Sequence, residues 1–241
     1  MLHKIRGIVL KTTAYSESSV VAQIFTDKFG LQSYLIQGVK KPKSKIKMNM
    51  LQPLHLLEMV APFKPNSALQ KLTEARPGPA FSSIPYDIIK STMAIFINEV
   101  LYKSIRQQTS EEQLFEFLQN AILWLDEDEK INNNFHLALL LKLTRYLGFA
   151  PNTNCRPDQA FFDLQEGEFK TLNPGHQYFL KRDEADMFSA LYETGFENLT
   201  KIKITNLQRR ALLEKILIYY KLHTASFGDI QSHSILEEIL I

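Results

Sequence analysis

The sequence predicts an α+β chain, with a small all-β module over residues 1–80 and an α-helical domain over residues 81–241. Three observations carry that division. Residues 1–80 are rich in β-branched side chains that alternate with a period of two. The period changes to that of a helix just beyond Pro77, Gly78, Pro79 and Pro85. Charge divides at the same place. Before it stand twelve Lys and Arg against four Asp and Glu, net +8; after it stand sixteen against twenty-two, net −6.

Five short strands are expected in the first module. "IRGIVLKTTAY" and "SSVVAQIFT" supply the first two, with Val20, Ala22 and Ile24 alternating against Val21, Gln23 and Phe25. Gly30, closing "DKFG", suits a tight hairpin. "LQSYLIQG" alternates again, Leu31, Ser33 and Leu35 against Gln32, Tyr34 and Ile36. After a long interruption, "PLHLLEMVAP" and "ALQKLTEAR" complete the set. Five strands interrupted after the third suit a small Greek-key barrel such as an OB-fold, although other small barrels fit the same pattern.

The helices follow in order. Ser83 and Pro85 mark a helix start, and Ile89, Met93, Phe96 and Val100 recur behind it at helical spacing. "SEEQ", Ser110 to Gln113, has the spacing of a capping box before Leu114, Phe117, Leu118, Ala121 and Leu125. "NNNFHLALLLKLTRYLG" is apolar on nearly every side, as a central helix is, and Gly148 and Pro151 stop it. Residues 150–180 show no period and are expected to be loop-rich. "TNLQ", Thr205 to Gln208, opens another helix, and "HSILEEILI" closes the chain.

Composition bounds the function. At 241 residues, 45% apolar and 22% charged, the chain can bury one or two cores. Cys155 is the single cysteine, so no intrachain disulfide forms and a reducing cytoplasm is expected. Lys4, Arg6 and Lys11 interrupt the N-terminus, which rules out a secretory apolar core there, and Lys142 and Arg145 interrupt the most apolar stretch. No membrane partner is expected.

The strongest local signal is "GVKKPKSKIK". Lys40, Lys41, Lys43, Lys45 and Lys47 crowd around Pro42 within about 25 Å of extended chain, and their mutual repulsion predicts a mobile loop. A solubilising loop is the plain explanation. The +8 module around it favours a polyanion, because neutralising phosphates releases condensed counterions, with a salt slope of roughly 0.7–0.9 per phosphate. Lys11 and Arg6 extend the cationic set. Tyr15, Phe25, Phe29, Tyr34 and Phe63 offer rings for base stacking; Phe25 is the first candidate for the core instead, and Tyr15 and Tyr34 are the chosen stackers.

No enzyme is indicated. Phosphate-binding glycine motifs are missing, and His3, His55, His136, His176, His223 and His233 lack ligand spacing. Cys155 and Asp158 have the spacing of one ligand pair without a second, so neither metal nor cofactor is expected. "DEDE", Asp126 to Glu129, reads as a solvated helix end. Arg209 and Arg210 sit at the unfavourable end of a helix dipole. They could form, with Lys142 and Arg145, a site for an acidic partner peptide.

The chain also resembles the RecO family of recombination mediators and DNA repair proteins. The resemblance rests on "GIVLKTTAYSESSVVAQIFTDKFGLQSYLIQGVKKPKSK", followed by "LQPLHLLEM" and "LTEAR". Further on it rests on "RYLGFAPNTNC", "RRALLEKILIYYKLH" and "SHSILEEI". It implies an N-terminal OB-fold that binds single- and double-stranded DNA without marked sequence preference and anneals complementary strands. It also implies a helical domain contacting the acidic C-terminal tail of the single-strand DNA-binding protein, RecR as partner, and loading of RecA as the outcome. Nucleoid association in the cytoplasm would follow. Many relatives carry a four-cysteine zinc finger after "GFAP"; here Cys155 matches the first ligand, Asp158 stands at the second and the later pair is missing, a degenerate finger-like insertion. The competing reading is a non-enzymatic adaptor whose basic loop grips acidic protein tails.

Overall fold

A computed structural model describes all residues except 42–43, 107, 128–130 and 241. Two compact units divide it, Met1–Asp128 and Glu129–Ile241.

The first unit is built on a curled six-stranded sheet: β1 (Leu2–Ala14), β2 (Val20–Thr26), β3 (Gly30–Ile36), β4 (Leu56–Pro62), β5 (Gln70–Lys71) and β6 (Glu74–Pro77). Their order is β5-β3-β2-β1-β4-β6. The fifth expected strand is split in two. Gln70–Lys71 pairs parallel with β3 and Glu74–Pro77 antiparallel with β4. Between them Leu72 N–H donates to Leu35 C=O and Thr73 N–H to Val60 C=O, so the segment carries the chain from one sheet edge to the other. This is the strand circuit of the expected OB-like module, with six strands where five were counted.

Alternation sorts the faces as predicted. Val20, Ala22 and Ile24 of β2 and Tyr34 and Ile36 of β3 point into the barrel with Ile5, Val9, Met59 and Ala61. Burying each Val, Ile or Met side chain among them contributes about 1.5–3 kcal/mol. On the outside, Ile8 and Phe25 pair across β1 and β2 and are both fully buried. Phe25 meets Phe115 of α2 (Glu112–Glu127), and Asn98 of α1 (Ile88–Ser104) donates to Leu10 C=O. These two helices therefore cover the outer wall around Leu10 of β1 and Phe25 of β2.

Two helix starts differ from expectation. α1 begins at Asp87, whose carboxylate accepts from the Ile89 and Lys90 amides, while Ser83 is drawn to Asp126 at the end of α2. Asp126 also accepts from the Ser82 and Ile84 amides, so it is a buried anchor for the linker and not a solvated helix end. Ser110 does not cap α2; its hydroxyl donates to Asp27 C=O.

In the second unit α3 (Phe135–Leu147) is buried along most of its length and ends at Gly148, whose φ of +87° suits glycine. The loop-rich stretch contains a three-stranded sheet, β7 (Phe161–Asp163), β8 (Glu168–Lys170) and β9 (Phe179–Lys181), in the order β8-β7-β9. Phe162 joins it to Phe188 of α4 (Arg182–Glu193), a helix that the sequence pattern did not predict, and to Tyr219 of α5 (Asn206–His223). The expected capping box of α5 is present: Thr205 Oγ1 accepts from Gln208 N–H and Gln208 Oε1 from Thr205 N–H. α6 (His233–Ile239) is the short terminal helix.

Candidate nucleic-acid interface

The lysine segment closes one end of the barrel. It leaves β3 after Ile36 and returns beside β1, where Thr12 Oγ1 donates to Leu51 C=O and Leu54 N–H to Val9 C=O. Val39, Ile46 and Leu51 are buried in the barrel core, with Met48 and Met50 packed against it. Within the segment, Lys41 N–H donates to Gly38 C=O, Ser44 N–H to Lys41 C=O, and Ser44 Oγ to Ile46 C=O. The expected mobile loop is thus an anchored cap. Its apolar residues alternate inward, and Lys40, Lys41, Lys45 and Lys47 are left exposed on the outside. Lys43 lies outside the described residues. No ion pair joins these four to a carboxylate among the described residues.

Sheet register extends this surface. The outward residues Thr13, Val21, Leu35 and Lys71 form one row across β1, β2, β3 and β5; Lys11, Gln23 and Ser33 form the next. A nearly neutral strip, Val21, Gln23, Ser33 and Leu35, is thereby flanked by Lys11 on one side and Lys71 on the other. Lys71 and Lys45 line one concavity of about 310 Å³ with Gln37, Ser44 and Thr73. At the end of the strip nearest the cap, the β1–β2 hairpin closes with Tyr15 and Ser16 N–H donating to Ser19 C=O. It presents Tyr15, whose ring is 64% exposed. Cations flanking a low-charge strip with an exposed ring can track a phosphate backbone and stack a base.

Other predicted residues fall elsewhere. Arg6 is committed to the first unit's own packing. It pairs with Asp27 at 3.2 Å and Glu116 at 2.6 Å, and lies over the Phe115 ring at 5.0 Å. The Glu116 hydrogen bond, with Asp27 behind it, holds its pKa above the ordinary arginine value. Lys11 stays exposed but rests on Tyr102, 3.1 Å from its hydroxyl and 4.6 Å from the ring centroid. Tyr34 must be corrected. Its ring is 1% exposed inside the barrel, and burial, with Asp27 adding to it, pushes its hydroxyl up to about 12. A ring enclosed on both faces cannot stack on a base.

In the second unit the proposed peptide cluster does not assemble as one site. Arg209 is buried and spends its guanidinium on Asn134 Oδ1, Asn206 Oδ1 and Ile204 C=O. Arg210 donates to Glu237 C=O, Lys142 to Tyr192 C=O, and Arg145 is exposed on α3. Burial lowers the pKa of Lys142, opposed by Glu197 and Glu193.

Comparison with known sequences decides the lineage. Residues 1–80 match the family model "Recombination protein O N terminal" and residues 85–228 match "Recombination protein O C terminal". The chain belongs to the RecO family. It is 35% identical over 239 residues to DNA repair protein RecO of Phocaeicola vulgatus, covering 99% of both chains. It is 34% identical over 240 residues to that of Bacteroides fragilis, again over 99% of both, and 36% identical over 238 residues to that of Flavobacterium psychrophilum, over 98% of both.

Within this RecO-family chain the region after Pro151 does not fit a zinc ion. Asp158 accepts from Thr171 Oγ1, and Cys155 Sγ lies 3.9 Å from Gln159 C=O. Gln159 bridges the turn by accepting from Arg156 N–H and donating to Phe169 C=O. Among the described residues no three His, Cys, Asp or Glu side chains converge as metal ligands would, and no helix is long and apolar enough to cross a membrane. Lys71 is the site residue that sequence pattern alone missed. Its strand is weakly patterned, and only the pairing with Leu35 shows which face it joins.

Proposed function

We propose that this RecO-family DNA repair protein binds single- and double-stranded DNA on the lysine cap and the adjoining strip of β1, β2, β3 and β5. In this reading it anneals complementary strands and, with RecR, helps load RecA onto strands coated by the single-strand DNA-binding protein. The carrying observation is that buried Val39 and Ile46 fix a cap from which Lys40, Lys41, Lys45 and Lys47 face outward, next to the row ending in Lys71. Annealing requires two polyanions to approach, and fixed cations lower their mutual repulsion without ordering either strand by base-specific contacts. No catalytic step is part of the reading, and a cytoplasmic place at the nucleoid goes with it.

The test is strand annealing by the full chain, with all five cap lysines and Lys71 changed to Gln. Annealing should fall at least about tenfold, as expected when several phosphates are no longer neutralised. Unchanged annealing would remove the cap from the mechanism. Retained annealing together with abolished binding of an acidic peptide would favour the adaptor reading instead.

A further inference from the structure

The opposite end of the barrel carries a second cationic and aromatic surface. There the β2–β3 hairpin and the loop between β4 and β5 come together. Phe29 and Phe63 stack with centroids 3.9 Å apart and planes within 8°, and His3 meets Phe29 edge-on at 5.3 Å. Phe29 packs against the barrel core, while Phe63 is half-buried on its outer side. Lys28 and Lys64 are exposed beside the rings, and Lys28 Nζ is held by Lys4 C=O at 2.8 Å.

The loop that presents Phe63 and Lys64 is preorganised. Gln70, 3% exposed, accepts from Lys64 N–H and donates to both Lys64 C=O and Ser67 C=O, so the turn is folded around a buried amide. Residues 28–32 and 62–70 contain no carboxylate. The nearest acid in sequence, Asp27, is taken up by the backbone and guanidinium of Arg6. Glu74 shares a sheet row with Lys4, two strands away across Val60 of β4.

We propose that this end is a second binding site for single-stranded nucleic acid, with a base stacking on Phe63 and phosphates meeting Lys28 and Lys64. The inference rests on the DNA-binding reading above and assigns the second strand of an annealing pair its own place. The two ends are separated by the length of β2, about 20 Å at the usual strand rise. That exceeds the Debye length of about 10 Å at moderate salt, so two bound strands are screened from one another. An aromatic plug that only closes the barrel would need the rings but not the flanking lysines.

The experiment uses the full chain, a labelled short oligothymidylate titrated at about 0.1 M salt, where the screening holds, and an annealing assay with complementary oligonucleotides. The wild type should bind two equivalents. K28Q/K64Q, which leaves the rings in place, should bind one and anneal about tenfold more slowly, in line with the weaker neutralisation of phosphates. F63A should lose the same equivalent, as removal of a stacking ring predicts. One equivalent in the wild type, or two equivalents and unchanged annealing in K28Q/K64Q, overturns the second site while leaving the cap intact. No binding by the wild type at all would overturn the DNA-binding reading itself.

Discussion

The cations of the cap and Arg209 show how differently the same charge is used in the two units. Lys40, Lys41, Lys45 and Lys47 are exposed and meet no carboxylate among the described residues. Arg209 is buried, and each of its nitrogen donors has an oxygen acceptor within the second unit. A buried charge is tolerable only when its hydrogen bonds are made, whereas an exposed one has solvent and is available to a ligand. Both sets read as basic in the sequence. Burial separates a structural cation from a binding one.

Changes on the buried side should produce the largest effects. Arg209→Ala should destabilise the second unit by about 2–4 kcal/mol, because it leaves the buried Asn134 Oδ1 and the Ile204 C=O without their donor. Urea unfolding would report this, while oligonucleotide affinity of the folded fraction should not move. A binding defect without destabilisation would place Arg209 on the ligand side of the comparison.

Next comes pH. His136 is buried in α3, and burial, reinforced by the positive charge of Arg209, lowers its pKa to about 3. A lowered folded-state value means its contribution is complete above the unfolded value of about 6.5. It is lost as pH falls from there toward 3, because only the unfolded chain takes up the proton. The slope is about 1.4 kcal/mol per pH unit. His136→Leu should flatten that part of the stability profile; an unchanged profile would show that the imidazole does not stay neutral.

The aromatic pair sharpens the same distinction. Tyr15→Ala should weaken oligonucleotide binding by about 1–3 kcal/mol, the range for removal of one stacking ring. Tyr34→Phe should leave it unchanged, since that ring lies in the barrel core. The smallest effect belongs to the cap lysines in stability measurements. Each single change to Gln should shift unfolding by less than about 0.5 kcal/mol, as expected for a solvated surface site.

Much of the barrel was legible in the sequence because period-two alternation is a local property. The same alternation placed Tyr34 on one face with Ile36, so its burial could have been read once that face was assigned to the core. Other features depend on partners far along the chain. The anchor of Arg209 is Asn134, seventy-five residues earlier, and Asp126 reaches back to Ser82, Ser83 and Ile84. Lys71 joins the candidate site only through register with β3. "SEEQ" has the spacing of a cap, but Ser110 finds a better acceptor in Asp27. α4 escaped notice because its buried residues, Ala185, Phe188 and Leu191, are few among charged neighbours. The cap is conspicuous for its lysines, while the residues that fix it, Val39 and Ile46, are too widely spaced to stand out from a loop.

The central claim is that outward lysines on an anchored cap neutralise DNA phosphates. It is tested most directly by the salt dependence of oligonucleotide binding, wild type against the variant with all five cap lysines changed to Gln. The slope of log K against log salt should fall by about 0.7–0.9 for each phosphate no longer neutralised, roughly 2–4 in all. Equal slopes for the two proteins would contradict it.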